Sequence, residues 1–97
     1  MLFAFICKDK PGHLNVRMDT RPAHLEHLNK LNAEGTLKIA GPFLDAEGKP
    51  NGSLVIVEAA DIDAAKALAD ADPYAKAGLF ESVDVKPYNW VFNNPGA

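Results

Sequence analysis

Two short segments carry residue types that are suited to proton transfer. Arg21-Pro22-Ala23-His24 supplies a histidine, and Ala71-Asp72-Pro73-Tyr74 supplies a carboxylate later in the chain. A histidine beside a buried carboxylate is a common way to build a proton-transfer site, because imidazole gains and loses a proton near neutral pH. These residue types therefore raise the hypothesis of general acid–base chemistry on His24 and Asp72.

His24 falls on the apolar side of a predicted helix whose stripe consists of Leu25, Leu28 and Leu31. At about 100° per residue, His24 projects near the middle of this stripe, whereas His27 lies at its edge or in solvent. Two interpretations stay open. His24 is a core histidine satisfied by a backbone carbonyl, which the spacing alone favours, or it is a general acid or base that needs a polar partner.

Asp72 lies at the end of a second predicted helix, immediately before Pro73. The helix dipole disfavours a carboxylate at that end, and the proline both stops the helix and favours an extended backbone at Asp72. A turn therefore aims this side chain. It either bonds to local backbone N–H groups or reaches His24, and the sequence does not choose between the two.

Three further side chains are candidate substrate contacts. Arg21 is suited to binding an anion through a bidentate contact, and Tyr74 is suited to lining a pocket. Ser53 begins a strand after Gly52, but a Ser-His-Asp relay is disfavoured because no nucleophile elbow surrounds it. A solvated arginine, an ordinary strand start and a core-edge aromatic are the structural alternatives.

Neither a metal nor a cofactor is expected. His24 and His27 lack the spacing of the zinc-protease motif, and the single cysteine, Cys7, cannot form a ligand pair or an internal disulfide. Cys7 is interpreted as a core residue of a strand, and no feature beside it indicates an activated thiolate. The isolated turn glycines do not form a phosphate-binding loop.

The bulk composition indicates one globular domain over residues 1–97. The net charge of −3 shows no excess of basic residues, so neither nucleic acid nor an anionic membrane surface is an expected partner. No apolar run approaches the roughly 18 residues of a membrane span. With one unpaired cysteine, the chain suits a reducing compartment, and we predict a cytoplasmic location.

The pattern of apolar runs and turn residues predicts four strands and two helices. They are a strand over 2–8, a helix capped by Asp19 or Thr20 with Pro22 in its first turn and Gly35 as its stop, a strand over 36–40, a hairpin connection over 45–52, a strand over 53–58, a helix capped by Asp61, a short turn ending at Gly78, a strand over 80–86 and a tail over 88–97. This order is the ferredoxin-like βαββαβ arrangement, an α+β fold with both helices on one face of a four-stranded antiparallel sheet.

The second face of the predicted sheet is unexpectedly apolar. Along the first strand Phe3 and Phe5 point one way while Ala4 and Ile6 point the other. A soluble monomer rarely exposes such a face. We therefore predict a homodimer in which two sheets pack face to face as a dimeric α/β barrel, whose interior can hold a small ligand.

Several motifs, in this order, resemble the YciI-like (YCII-related) family from Met1 to about Phe92. They are Arg21-Pro22-Ala23-His24-Leu25, Glu34-Gly35, Ala40-Gly41-Pro42, Gly52-Ser53, Ala69-Asp70-Ala71-Asp72-Pro73-Tyr74, Ala77-Gly78 and Val85-Lys86-Pro87. The resemblance implies a ferredoxin-like subunit, a dimeric α/β barrel and an active site on His24 and Asp72. The family includes a dehydrochlorinase of a chlorinated hydroxyquinol, and the wider barrel superfamily includes lactone isomerases and small monooxygenases.

Two function classes follow. The first is a small cofactor-independent enzyme in which His24 moves a proton on a cyclic or aromatic molecule, by elimination or isomerisation, and Asp72 orients the ring. Arg21, Ser53 and Tyr74 would then contact the substrate. The alternative is a non-catalytic dimeric module that binds a small ligand or a partner and in which His24 and Asp72 form a structural pair. Nothing in the sequence identifies the substrate.

Overall fold

The computed structural model describes residues 1–96 and shows the predicted α+β fold. Its elements are β1 (Leu2–Asp9), α1 (Leu14–Ala33), β2 (Leu37–Leu44), β3 (Pro50–Glu58), α2 (Ile62–Asp70), α3 (Pro73–Lys76) and β4 (Phe80–Tyr88). The sheet order is β2-β3-β1-β4 with antiparallel neighbours throughout. The ferredoxin-like arrangement is therefore confirmed. Ala97, the end of the predicted tail, lies outside the described residues.

The hydrophobic core lies between the sheet and the helices. Alternation along β1 turns Phe3, Phe5 and Cys7 towards the helices, and their partners Val57 and Val55 on β3 face the same way. The buried core consists of Phe3, Phe5, Cys7, Leu28, Val55, Val57, Ala65 and Ala69. Burial of this apolar surface is the main force that holds α1 and α2 on the sheet.

The opposite face of the sheet carries no helix and keeps apolar side chains. Ile6 on β1 pairs with Leu54 on β3, and Ile39 on β2 pairs with Ile56. Ile6 and Ile39 are 38% and 39% exposed. The predicted pairing of this face with a second copy of the chain stays a prediction.

The first helix begins five residues before its predicted cap, since α1 starts at Leu14 and not after Asp19 or Thr20. Pro22 consequently lies inside the helix and not in its first turn. There it provides no N–H for the carbonyl one turn earlier, which costs stability. The preceding turns of α1 contact β1 and β3 through the hydrogen bonds of Arg17 to Asp9 and Ser53. Leu25, expected in the inner stripe, is 39% exposed.

The second strand and the hairpin also differ from their predicted bounds. β2 continues through Gly41-Pro42 to Leu44, so the connection to β3 shortens to residues 45–49. Pro42 is tolerated because β2 is an edge strand of the sheet. Asp45 closes the hairpin by accepting hydrogen bonds from the backbone N–H groups of Glu47 and Lys49.

The last strand runs to Tyr88, two residues beyond its predicted end, and includes Pro87 on the other edge of the sheet. Within residues 1–96, no helix combines the length and the apolar character needed to cross a membrane.

Candidate active site

His24 and Asp72 are in direct contact. His24 Nδ1 lies 2.8 Å from Asp72 Oδ1, and both residues are 7% exposed. A carboxylate only accepts hydrogen bonds, so Nδ1–H is the donor. Within residues 1–96, the side-chain nitrogen and oxygen atoms that solvent cannot reach all have a hydrogen-bond partner. Nε2 of His24 has no such partner, so it must be accessible to solvent. When the ring is neutral, Nε2 carries a free lone pair.

Asp72 is aimed by the turn between α2 and α3. Helix α2 ends at Asp70, and Asp72 is the N-cap of α3 with an extended backbone, φ −62° and ψ 128°. Its Oδ1 accepts the backbone N–H of Tyr74 at 2.9 Å as well as the bond from His24. Both interpretations of Asp72 therefore hold together. The prediction that a helix dipole disfavours the Asp72 carboxylate is wrong. Asp72 does not end α2; it caps the start of α3.

The ring of Tyr74 packs against two side chains of α1, the imidazole of His24 and the guanidinium of Arg17. The ring stacks on His24 with centroids 3.9 Å apart and planes 15° apart, and the Arg17 guanidinium lies over it at 4.7 Å. Burial raises the pKa of Tyr74, although Arg17 and Arg21 act in the opposite direction. The phenol therefore stays neutral at physiological pH.

Arg17 is a buried, cavity-lining residue that sequence reasoning missed. Its Nε donates to Asp9 Oδ2 at 2.7 Å and its Nη2 donates to Asp9 Oδ1 at 2.9 Å, with both side chains buried. Nη2 also donates to Ser53 Oγ at 2.9 Å. Burial lowers the pKa of Arg17, but the hydrogen bond and charge of Asp9 outweigh it and raise the pKa overall.

The position of Arg17 relative to His24 is a signal that the sequence did contain. The two residues are seven apart, so they share one face of a helix that includes both. An arginine in line with Leu31, Leu28 and His24 must be buried, and a buried arginine requires a carboxylate. The misplaced start of α1 left Arg17 outside the helix and hid this relation.

Ser53 reaches this cluster because β3 approaches β1 closely. A Cβ atom on the preceding residue, Gly52, would lie 2.5 Å from the carbonyl oxygen of Cys7, so only glycine fits there. Ser53 is 3% exposed and pairs with Cys7 across the two strands.

A cavity of about 430 Å³ lies between α1 and the strands β2 and β3. Four of the five predicted site residues, Arg21, His24, Ser53 and Tyr74, line it, and Asp72 lies behind His24. Leu25, Leu28, Leu44 and Val55 add apolar walls. Ser53 and Val55 face the helices, so the cavity lies on the helix side of the sheet and not on the open face, where the predicted barrel interior would be. The roles of these residues stay predictions.

Metal-binding side chains are not gathered at this site. Within the described part of the chain, no three His, Cys, Asp or Glu side chains lie close enough together to hold an ion.

His27, one turn after His24, has a lowered pKa because it is partly buried. The charge of Asp72 acts to raise this pKa, and the charge of His24 acts to lower it further.

Cys7 is expected to be unreactive. Burial, assisted by the charge of Asp72, raises the pKa of its thiol to about 12. At pH 8 only about one thiol in 10⁴ is then ionised, and the thiolate is the reactive form. Iodoacetamide at pH 8 should leave the native protein unmodified and should label it fully in guanidinium chloride, as mass spectrometry would show. Rapid labelling of the native protein would mean that Cys7 is not held in this core.

Comparison with known proteins finds relatives over nearly the whole chain. The sequence model of the YCII-related domain matches residues 1–89. The chain is 43% identical to protein YciI of Escherichia coli over 95% of this chain and all of that one. It is 38% identical to an uncharacterized protein of Haemophilus influenzae with the same coverage.

Among solved structures, a 5-chloro-2-hydroxyhydroquinone dehydrochlorinase from Burkholderia phenoliruptrix, in complex with 2,5-dihydroxybenzoquinone, is similar with a TM-score of 0.86 and 36% identity. The match covers 97% of this chain and 99% of that one. The family match, the sequence relatives and the shared fold lead to one conclusion: this chain belongs to the YCII-related family.

Proposed function

We propose that this protein is a small cofactor-independent enzyme in which His24 transfers a proton on a small cyclic or aromatic molecule. The observation that carries the proposal is the orientation of the His24 ring. A buried carboxylate holds Nδ1–H at 2.8 Å, while Nε2 is accessible on a residue that lines a cavity. A general base needs this combination of a fixed ring and a free nitrogen.

The chemistry begins when neutral His24 takes a proton from the substrate on Nε2. Asp72 then stabilises the imidazolium that forms, because an adjacent carboxylate favours the charged ring. In an elimination, the electrons of the broken bond form a double bond and expel the leaving group, chloride for a chlorinated substrate. In an isomerisation, Nε2 returns the proton to a different atom. Both reactions balance without an oxidant or a reductant.

The cavity and the structural relative support a one-ring substrate. A volume of about 430 Å³ lies within the range of small-molecule sites. The relative with a TM-score of 0.86 is a dehydrochlorinase in complex with 2,5-dihydroxybenzoquinone, a single six-membered ring. In this proposal Arg21 and Ser53 contact the substrate, and Tyr74 lines the pocket and holds the His24 ring by stacking at 3.9 Å.

The proposal is tested by incubating the purified protein with chlorinated hydroxyquinols and with unsaturated lactones. Chloride release and the ultraviolet spectrum report elimination and isomerisation, respectively. We expect turnover above the protein-free rate in at least one class, and we expect a chelator to leave that rate unchanged. Absence of turnover in both classes would contradict the enzyme proposal for them and favour a non-catalytic binding module.

We further propose a cytoplasmic homodimer. The open sheet face, with Ile6 and Leu54 paired across β1 and β3, would be covered by the same face of a second copy, because soluble proteins rarely expose such patches. The reducing cytoplasm suits a chain whose one cysteine has no partner.

The dimer is expected to be disrupted by a charge on this face. Light scattering at micromolar concentration should give twice the 10.4 kDa chain mass, and Ile6→Glu should give the monomer mass, because an unpaired carboxylate would be buried at the contact. Glu26→Gln on the exposed side of α1 is the matched control. A monomeric wild-type protein would contradict the proposal.

A further inference from the structure

A cluster of Asp9, Arg17 and Ser53, here called the anchor cluster, borders the cavity that His24 lines. We propose that Arg17 and Ser53 bind a negatively charged oxygen of the substrate, so that the protein selects small oxyanions such as ionised enols, phenols and carboxylates over neutral analogues. This inference deepens the proposed function and relies on it for placing the substrate in this cavity.

The hydrogen bonds of Arg17 leave donors free. A guanidinium has five N–H groups, and three of them, one on Nε and two on Nη2, donate to Asp9 and Ser53. Nη1 donates to neither of these residues, and the hydroxyl of Tyr74 is a further polar neighbour of the guanidinium. Because Arg17 lines the cavity, its Nη1 donors remain for an acceptor on a ligand bound there.

Ser53 adds a further donor beside Arg17. Its Oγ accepts the Nη2–H bond at 2.9 Å, so its own hydrogen is free to turn towards the cavity that Ser53 lines. The Nη1 group of Arg17 and the hydroxyl of Ser53 are then neighbouring donors, and together they match an oxygen that only accepts hydrogen bonds. Charge-assisted bonds of this kind are stronger than neutral ones.

The charges around the cavity favour an anion. Arg17 and Arg21 both line it, and none of the described residues that line it is an aspartate or a glutamate. The two nearest carboxylates are occupied elsewhere: Asp9 bonds Arg17 and Asp72 bonds His24. An uncharged oxygen can also accept from the Nη1 donors, but its bonds lack the charge assistance that an anion provides and are weaker.

Asp9 acts as a positioning residue. Its two oxygens hold the guanidinium at 2.7 and 2.9 Å in a buried site, so Arg17 needs no reordering when a ligand binds. The guanidinium of Arg17 and the ring of His24 both contact the ring of Tyr74, at 4.7 and 3.9 Å from its centroid. An oxygen bound by Arg17 would therefore hold a small ring within reach of His24.

The test compares two quinones of similar shape. The first probe, 2,5-dihydroxybenzoquinone, ionises at neutral pH because each hydroxyl is conjugated with a carbonyl, whereas 2,5-dimethoxybenzoquinone stays neutral. Dissociation constants are measured by isothermal titration calorimetry for the wild-type protein, Ser53→Ala, Asp9→Asn and the double variant Asp9→Asn/Arg17→Met. The double variant removes both buried charges together, so that it remains folded. Lys30→Met, which removes an exposed positive charge from α1, is the control.

We expect the wild-type protein to bind the anionic probe at least tenfold more tightly than the neutral one. Ser53→Ala should weaken only anion binding, several-fold, and the double variant should lose the preference. Asp9→Asn decides between orientation and net charge: it makes the site more positive, so anion binding tightens if charge alone matters and weakens if Arg17 must be held in place. Lys30→Met should match the wild type.

The proposal is overturned if the wild-type protein binds neither probe or binds both equally, if the double variant keeps the preference, or if Asp9→Asn tightens anion binding. The measurement is of binding, so it stands apart from turnover. If the protein prefers the anionic probe but turns over nothing in the substrate panel, the proposed enzyme is overturned and the proposed anion site stands. If it turns over a substrate but shows no preference for the anionic probe, the anion site is overturned and the enzyme stands.

Discussion

Replacement of His24 with glutamine is expected to lower kcat by about 10²–10⁴-fold, the contribution that a positioned general acid or base makes. Glutamine can still donate an amide hydrogen to Asp72, which in the native protein accepts bonds from His24 Nδ1 and from the backbone of Tyr74. It cannot take a proton at neutral pH. The variant should therefore keep its fold and lose its chemistry, as circular dichroism and a turnover assay would show.

Asp72→Asn is the companion variant for this prediction. Asparagine keeps an oxygen that can accept from Tyr74 and His24, but it removes the negative charge that stabilises the imidazolium. The value of kcat should fall by less than in His24→Gln, and its pH dependence should change. If both variants turn over substrate like the wild type and only lose stability, the contact of His24 and Asp72 is structural and the binding-module alternative is favoured.

The burial of His24 and the turn at Asp72 could be predicted because each is encoded locally. His24 shares a helical face with Leu28 and Leu31, so helix periodicity alone buries it. Asp72 is fixed by the proline that follows it, which gives the extended backbone and the N-cap of α3. The burial of His24 and the backbone conformation of Asp72 therefore depend on nearby residues only. The contact between the two side chains depends on the tertiary fold.

The anchor cluster could not be predicted because tertiary contacts overrule local signals there. Asp19, Thr20 and Pro22 have the residue types of a helix start, but the helix begins at Leu14 and contains Pro22 in its interior. The buried bonds of Arg17 to Asp9 and Ser53 join the first turns of α1 to β1 and β3. Ser53 is 36 residues from Arg17 and Asp9 is eight residues before it on a strand, so no single periodicity relates the three.

A similar reason applies to β2, where Gly41-Pro42 has the residue types of a strand stop. Register with β3 continues through both residues, with Pro42 opposite Ser53. The edge position makes this possible, since an edge strand leaves alternate N–H groups without a partner and a proline removes nothing needed there. Whether a strand lies at an edge is a property of the sheet, so the sequence of β2 alone does not reveal it.

Replacement of Arg17 with methionine is expected to lower the free energy of unfolding by about 3–5 kcal/mol, the cost of breaking a buried ion pair. Asp9 would remain a carboxylate at a site where the side chains of Arg17 and Asp9 are only 5% and 7% exposed, without its two charge-assisted bonds. Urea denaturation followed by circular dichroism measures the change. Lys8→Met provides the control: Lys8 and Glu81 also form an ion pair, but with side chains 70% and 47% exposed, so the loss should be at most about 1 kcal/mol.

The double variant Asp9→Asn/Arg17→Met separates the charge effect from packing. With the carboxylate neutralised, the double variant should be more stable than Arg17→Met alone, because the penalty of Arg17→Met comes mainly from an uncompensated buried charge. If the double variant were no more stable than the single one, the loss would come instead from the packing of Arg17 on Tyr74, where the guanidinium lies 4.7 Å from the ring centroid. Buried ion pairs often add little net stability over apolar residues of similar size. A stable double variant without anion selectivity would therefore indicate that Asp9 and Arg17 serve the cavity and not the fold.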